Sequence, residues 1–229
     1  MTDENRITEL NEVLAKARRT CFGDVTPEEK EELTLLSKKE PQDLELIKDG
    51  SRSKIGSYQL KSGRDIVLKY YYPTHIVKKL RNRLTGSRCQ RSWIAAHGFL
   101  HLGIPTPRPL AIAEFHQLGL FNSMSFLATD HIKGVQLRFL EESRYEAIAP
   151  ALKSAFQTMA EFRLAHGDLK NANILINKEN EITFVDLDAT RFNLSEKSWE
   201  RAQTHDRKRF HKNWKDNPFA AGILNDCIS

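Results

Sequence analysis

Charged and apolar positions alternate at helical intervals over the first 44 residues. Ile7, Leu10 and Leu14 fall on one face of a helix. Thr26-Pro27-Glu28-Glu29 supplies an N-cap hydroxyl, a first-turn proline and an acidic first turn. Arg18, Arg19, Lys38 and Lys39 stand towards helix ends, where the negative pole of the helix favours cations. Residues 1–44 therefore read as an N-terminal helical extension packed on the domain, with a partner-binding or membrane-surface element as the alternative.

From residue 45 the pattern shortens. Runs at 44–48, 57–60 and 66–71, separated by Gly50, Gly56 and Gly63, predict an antiparallel meander. A helix fits Ser87 to Leu102 and stops at Gly103. The proline-rich GIPTPRPLA (Gly103–Ala111) is predicted to be extended and to lead into a strand. Ser125–His131 reads as a strand. Glu141–Leu164 reads as a long helical stretch, broken or kinked at Pro150. Two short strands, Ile174–Ile176 and Ile182–Val185, flank the turn Asn177-Lys178-Glu179-Asn180, and the tail from Ser195 is helical. Strands come first and helices after, an α+β layout in two lobes. The lobes divide as 45–132, a meander with one helix, and 133–229, mainly helical.

The chemistry concentrates in His166-Gly167-Asp168-Leu169-Lys170-Asn171-Ala172-Asn173, which runs into the apolar Ile174-Leu175-Ile176. A second apolar run ends at Asp186, in Phe184-Val185-Asp186-Leu187-Asp188. An Asp followed five residues later by Asn, with a later strand-end Asp, is the spacing of a phosphoryl-transfer loop. There the first Asp accepts the proton of the attacking hydroxyl, while Asn and the second Asp hold magnesium. Magnesium is a hard cation that takes oxygen donors, so an amide oxygen and a carboxylate suit it. A polar loop with no chemistry would explain the Asp, Asn and Gly content, but not the spacing, the flanking strands and the second acidic strand end together. Lys69 closes Asp65-Ile66-Val67-Leu68-Lys69 as a strand lysine that contacts ATP phosphates does. Gly50-Ser51-Arg52-Ser53-Lys54-Ile55-Gly56 departs from G-x-G-x-x-G. Gly50 and Gly56 either frame a loop over the phosphates or mark an ordinary hairpin.

These residues resemble the bacterial lipopolysaccharide kinases, the Kdo and heptose kinases of the outer-membrane core, which have an atypical protein-kinase fold. The resemblance spans about residues 45–220. It rests on the VLKYY segment around Lys69, on Arg91-Ser92-Trp93 leading to GIPTPRPLA, on HGDLKNANILI, on VDLDA (Val185–Ala189), and on Asp206-Arg207-Lys208-Arg209-Phe210-His211-Lys212-Asn213-Trp214. It implies a two-lobed kinase-like fold with a small C-terminal lobe and ATP and Mg²⁺ as cofactors. It also implies Asp168 as base, Asn173 and Asp186 as metal ligands, Lys69 as an ATP contact, and Lys170 as the residue that steadies the transferring phosphoryl group. The acceptor it implies is a hydroxyl of a heptose or Kdo in the lipopolysaccharide core. Two departures stand out. No acidic residue lies between Tyr70 and Ala113, so the helix glutamate that pairs with the strand lysine is missing. No activation-segment signature comes after Asp188. Rival readings are a small-molecule or protein kinase on the same scaffold, since HGD-x4-N also resembles antibiotic phosphotransferases, and a non-catalytic nucleotide-binding pseudokinase.

Composition narrows the setting. The chain has 229 residues, 40% hydrophobic, and a net charge of +5; its pI is near 9.1. That charge favours an anionic partner. Lys78, Lys79, Arg81, Arg83, Arg88 and Arg91 form a basic stretch without an acid. It suits an anionic membrane surface or the phosphates and carboxylates of the core, or is simply solvated. Sparse aromatic interleaving argues against nucleic acid. Cys21, Cys89 and Cys227 lack metal-ligand spacing and read as reduced thiols. The N-terminus lacks the basic-then-apolar order of a secretory signal. The expected place is the cytoplasm, peripheral to the inner face of the inner membrane.

Overall fold

The structure, a computed structural model, describes residues 3–72, 86–117 and 121–228. It is of mixed α+β class with two antiparallel sheets. The chain forms two compact units, one of residues 12–97 and 107–131, the other of residues 1–11, 98–106 and 132–229. The stretch 1–44 is thus shared between the units.

The first unit is built on five strands in the order β1-β2-β3-β5-β4. They are β1 (Glu45–Gly50), β2 (Ser53–Gln59), β3 (Asp65–Tyr71), β4 (Pro109–Gln117) and β5 (Phe121–Asp130). Period-2 alternation in β3 sends Ile66, Leu68 and Tyr70 to one face, where they pack with Phe126, Leu110 and with Leu33 and Leu36. Those two leucines come from α2 (Pro27–Lys38). Its start is closed as the sequence predicts. Thr26 Oγ1 accepts from the Glu29 N–H at 3.2 Å and Glu29 Oε2 accepts from the Thr26 N–H at 3.1 Å, a capping box whose hydroxyl contributes about 1 kcal/mol.

The opposite face holds Tyr71, Leu127 and Ile112 under Ala17, Cys89 and Trp93. Ala17 ends α1 (Asp3–Ala17), and its carbonyl accepts from Trp93 Nε1 at 3.0 Å. Trp93 and Cys89 lie on α3 (Arg88–His101), which starts where expected because Ser87 Oγ accepts from the Gln90 N–H at 3.0 Å.

The second unit contains α4 (Tyr145–Glu161), α5 (Glu196–Lys212), α6 (Pro218–Leu224) and the small sheet β6 (Val135–Gln136), β7 (Ile174–Ile176) and β8 (Ile182–Phe184). Its core is aromatic. Phe156 lies 6.0 Å from Phe184 and 5.4 Å from Phe210, and Phe99 lies 6.2 Å from Phe184. The helix does not break at Pro150: α4 runs through it. Pro150 sits within the first two turns, where its missing N–H forfeits a single ladder bond. Among the described residues no helix is long and apolar enough to cross a membrane.

Candidate functional site

The loop between α4 and β7 is anchored from below. His166 is fully buried, with its ring 6.4 Å from Phe99 and 6.2 Å from Phe184. Burial pushes its pKa below the ordinary value, against the opposing pull of Asp206, Asp186 and Asp168. Its Nδ1 accepts from the Asp168 N–H at 3.4 Å. Gly167 has φ 80°, and a Cβ there would stand 2.4 Å from the Ala189 carbonyl oxygen. Only glycine fits that close approach. The Gly167 N–H donates to Asp206 Oδ2 of α5 at 2.9 Å. Ala165 and Arg191 exchange backbone hydrogen bonds of 3.0 and 2.9 Å, which binds this loop to the one after β8.

On that base Asp168 is only partly buried. Its Oδ2 accepts from Lys170 Nζ at 2.9 Å and lies 3.3 Å from Asn173 Nδ2, and its carbonyl accepts from the same amide at 2.9 Å. The five-residue interval now has a cause. A 3₁₀ turn, Asn171–Asn173, closed by Asn173 N–H to the Lys170 carbonyl at 2.8 Å, folds Asn173 back onto Asp168. Because Nδ2 donates to Asp168, the amide oxygen is on the other side of the side chain, available as a hard donor.

Asp186 is brought in by backbone pairing. Val185 N–H donates to the Asn173 carbonyl at 2.9 Å, and Phe184 N–H to the Pro105 carbonyl at 2.9 Å. Thr106 Oγ1 donates to the Phe184 carbonyl at 2.8 Å, so the extended GIPTPRPLA segment pins the end of β8. Asp186 then turns in the left-handed region, φ 63° and ψ 52°, before a 3₁₀ turn that buries Leu187 and Asp188. No cluster of three or more His, Cys, Asp or Glu that could hold a metal occurs among the described residues. One amide oxygen and one carboxylate, those of Asn173 and Asp186, are oxygen donors of the kind a magnesium ion takes when phosphates and water supply its other ligands.

Asp168, Lys170 and Asn173 are thus joined by hydrogen bonds, and the Val185–Asn173 backbone bond sets Asp186, next in the chain, beside that loop. Sequence reasoning passed over a fifth member, Arg209 of α5, whose guanidinium forms an ion pair with Asp168 Oδ1. The signal was present in the spacing. Asp206, Arg209 and Phe210 stand at i, i+3 and i+4, one helical face, and Asp206 and Phe210 are buried.

Lys69, Gly50 and Gly56 belong to the other unit. Lys69 pairs in register with Leu127, and its Nζ lies 5.0 Å from the Tyr71 ring centroid. An acidic residue lies just past the window in which one was sought. Glu114 of β4 is in register with Ser125, which on its other side pairs with Tyr71. Glu114 and Lys69 thus share a sheet face, and the charges of both act on the buried Cys89 thiol, which desolvation pushes up.

Gly56 does not separate two strands. It lies inside β2, paired with Leu46 and Leu68, and a Cβ would stand 2.5 Å from Leu44 Cγ and 2.9 Å from the Glu45 carbonyl oxygen. Close packing explains this glycine. The hairpin turn is at Ser51-Arg52, after Gly50. Of the basic stretch, Lys78, Lys79, Arg81 and Arg83 lie outside the described residues. Arg88 stacks over Tyr71 at 5.5 Å, and Arg91 Nη1 donates to the Gly86 carbonyl at 2.7 Å.

The site is thus a polar loop held against two strand ends, with a carboxylate flanked by cationic donors. The lipopolysaccharide kinase (Kdo/WaaP) family matches residues 52–222, and the chain belongs to that family. Comparison with individual curated proteins gives no match.

Proposed function

We propose that the protein transfers the γ-phosphate of ATP to a hydroxyl of a heptose or Kdo in the lipopolysaccharide core, on a two-lobed kinase-like fold. Membership of a lipopolysaccharide kinase family supports the substrate class. The observation that carries the mechanism is the single hydrogen-bonded cluster of Asp168, Lys170 and Asn173.

In this reading Asp168 orients the acceptor hydroxyl and takes its proton. Asn173 offers its amide oxygen, and Asp186 its carboxylate, to the ion. Lys170 lies against Asp168 and offers its ammonium to the charge of the moving phosphoryl group. Lys69, which shares a sheet face with Glu114, is the residue assigned to the nucleotide phosphates, and the glycine-framed hairpin Gly50–Gly56 is the element assigned to cover them. Magnesium held by Asn173 and Asp186 would neutralise the charge of the ATP phosphates as the γ-phosphoryl group passes to the acceptor and ADP leaves. The chain contributes mainly position and preorganised electrostatics. The basic stretch draws the protein to the anionic inner face of the cytoplasmic membrane, where the acceptor is anchored.

Mass spectrometry of the lipopolysaccharide core from cells with and without the protein tests this. The reading expects one phosphate to be lost. An unchanged core, together with labelled-ATP transfer to soluble alcohols or to proteins, would overturn it.

A further inference from the structure

Both oxygens of Asp168 are covered: Oδ2 by Lys170 at 2.9 Å and by Asn173 at 3.3 Å, Oδ1 by the Arg209 guanidinium. A carboxylate that receives a hydroxyl proton must present one of them. Lys170 and Asn173 belong to the same loop, two and five residues on, and together give Oδ2 two partners, of which the 3₁₀ turn Asn171–Asn173 positions the Asn173 amide, whereas Oδ1 has the Arg209 guanidinium. Arg209 approaches from α5 on a long side chain that is 41% exposed, and half-exposed ion pairs of this kind are weak and readily exchanged. Its helix does not need to move. Asp206, one turn earlier, is bonded to Gly167, and Phe210 is packed 5.4 Å from Phe156. Oδ1 is therefore the oxygen that the acceptor hydroxyl takes, and the guanidinium it displaces remains beside the reacting group.

We propose that Arg209 is a specificity residue that exchanges Asp168 for an oxyanion on the acceptor itself, a carboxylate or a phosphate next to the hydroxyl that is phosphorylated. A guanidinium binds either group with two parallel N–H bonds. Until such an acceptor arrives, Arg209 keeps the base occupied. The inference deepens the core-sugar reading and rests on it.

The test compares wild type, Arg209→Gln and Arg209→Lys on core oligosaccharide that is intact, carboxyl-reduced or dephosphorylated. Arg209→Gln is expected to raise the acceptor KM about 10- to 100-fold, the value of one charged hydrogen-bonded contact, with KM for ATP unchanged and partial recovery in Arg209→Lys. Removing the anion that Arg209 reads, carboxylate or phosphate, should weaken the wild type alike and add nothing to the loss in Arg209→Gln. Equal losses on charged and neutralised acceptors, or a rise in KM for ATP instead, would overturn the proposal.

A second arm needs no turnover. The Arg209 Nε–H signal, assigned by its loss in Arg209→Gln, is followed by NMR with gluconate, glucose 6-phosphate and glucose. A shift with either anion but not with glucose supports the exchange, and silence towards both anions overturns it. Wild type inactive on every core acceptor would defeat the core-sugar reading alone, and the NMR arm would still decide the role of Arg209.

Discussion

The backbone N–H of Gly167 donates to Asp206 Oδ2 at 2.9 Å across 39 residues of chain, which ties the loop carrying Asp168 to the middle of α5. Asp206 is 5% exposed, so the bond is shielded and its loss leaves a backbone donor unsatisfied.

Asp206→Ala is therefore expected to destabilise the protein by about 1–3 kcal/mol and to lower turnover, because the loop loses its anchor. Asp206→Asn keeps an acceptor oxygen and should lie between. Urea midpoints of the three proteins check this. A midpoint unchanged in Asp206→Ala would mean that the bond contributes nothing.

Asp168→Ala should reduce turnover roughly 10²–10⁴-fold, the span of a general base, while nucleotide affinity is nearly retained. Isothermal titration with ATP beside steady-state rates separates the two effects. Near-normal turnover in the variant would remove Asp168 from the chemistry.

Asp186→Ala should abolish the magnesium dependence of nucleotide binding, and Asp188→Ala should weaken it less. The reason is placement. Asp186 directly follows Val185, which is bonded to the Asn173 carbonyl, whereas Asp188 is buried within the next turn. ATP titrations with and without magnesium distinguish them, and equal losses would mean that the two carboxylates share the ion.

Much of this was legible in the sequence. The Thr26 capping box, the strand containing Lys69, the extended GIPTPRPLA segment and the β7–β8 hairpin all arise from local chemistry that the residues carry themselves. The misreadings share another cause. Gly56 resembles a turn residue until Leu44 is seen packed against it, and Pro150 resembles a breaker until α4 is seen to begin only at Tyr145. In the site, Asp168, Lys170 and Asn173 were readable because one short loop holds them. Glu114 was not, since it reaches its place through strand pairing that no spacing encodes, and for Arg209 the spacing shows a helical face shared with Asp206 and Phe210 but not the carboxylate it meets.

Stability should also depend on pH through His166. Its folded pKa is depressed, chiefly by burial, while in the unfolded chain it titrates near 6.5. The unfolded state therefore binds more protons below that pH. The contribution is full above about 6.5 and is lost as pH falls towards the folded value. Urea midpoints at pH 7.5 and 5.5 should drop in the wild type and drop less in His166→Gln. Parallel slopes in the two proteins would assign the acid sensitivity to other groups.

Asp186 sits where the backbone has turned left-handed, at φ 63°. Ordinary L-residues lose roughly 1–2 kcal/mol there, and only Gly, Asn and Asp tolerate it easily. Of those three, one lacks a side chain and one lacks a charge. A position that both turns this way and presents a carboxylate favours aspartate over glutamate by that same margin of roughly 1–2 kcal/mol. Asparagine is then the replacement that separates the two demands, because it keeps the turn while removing the charge.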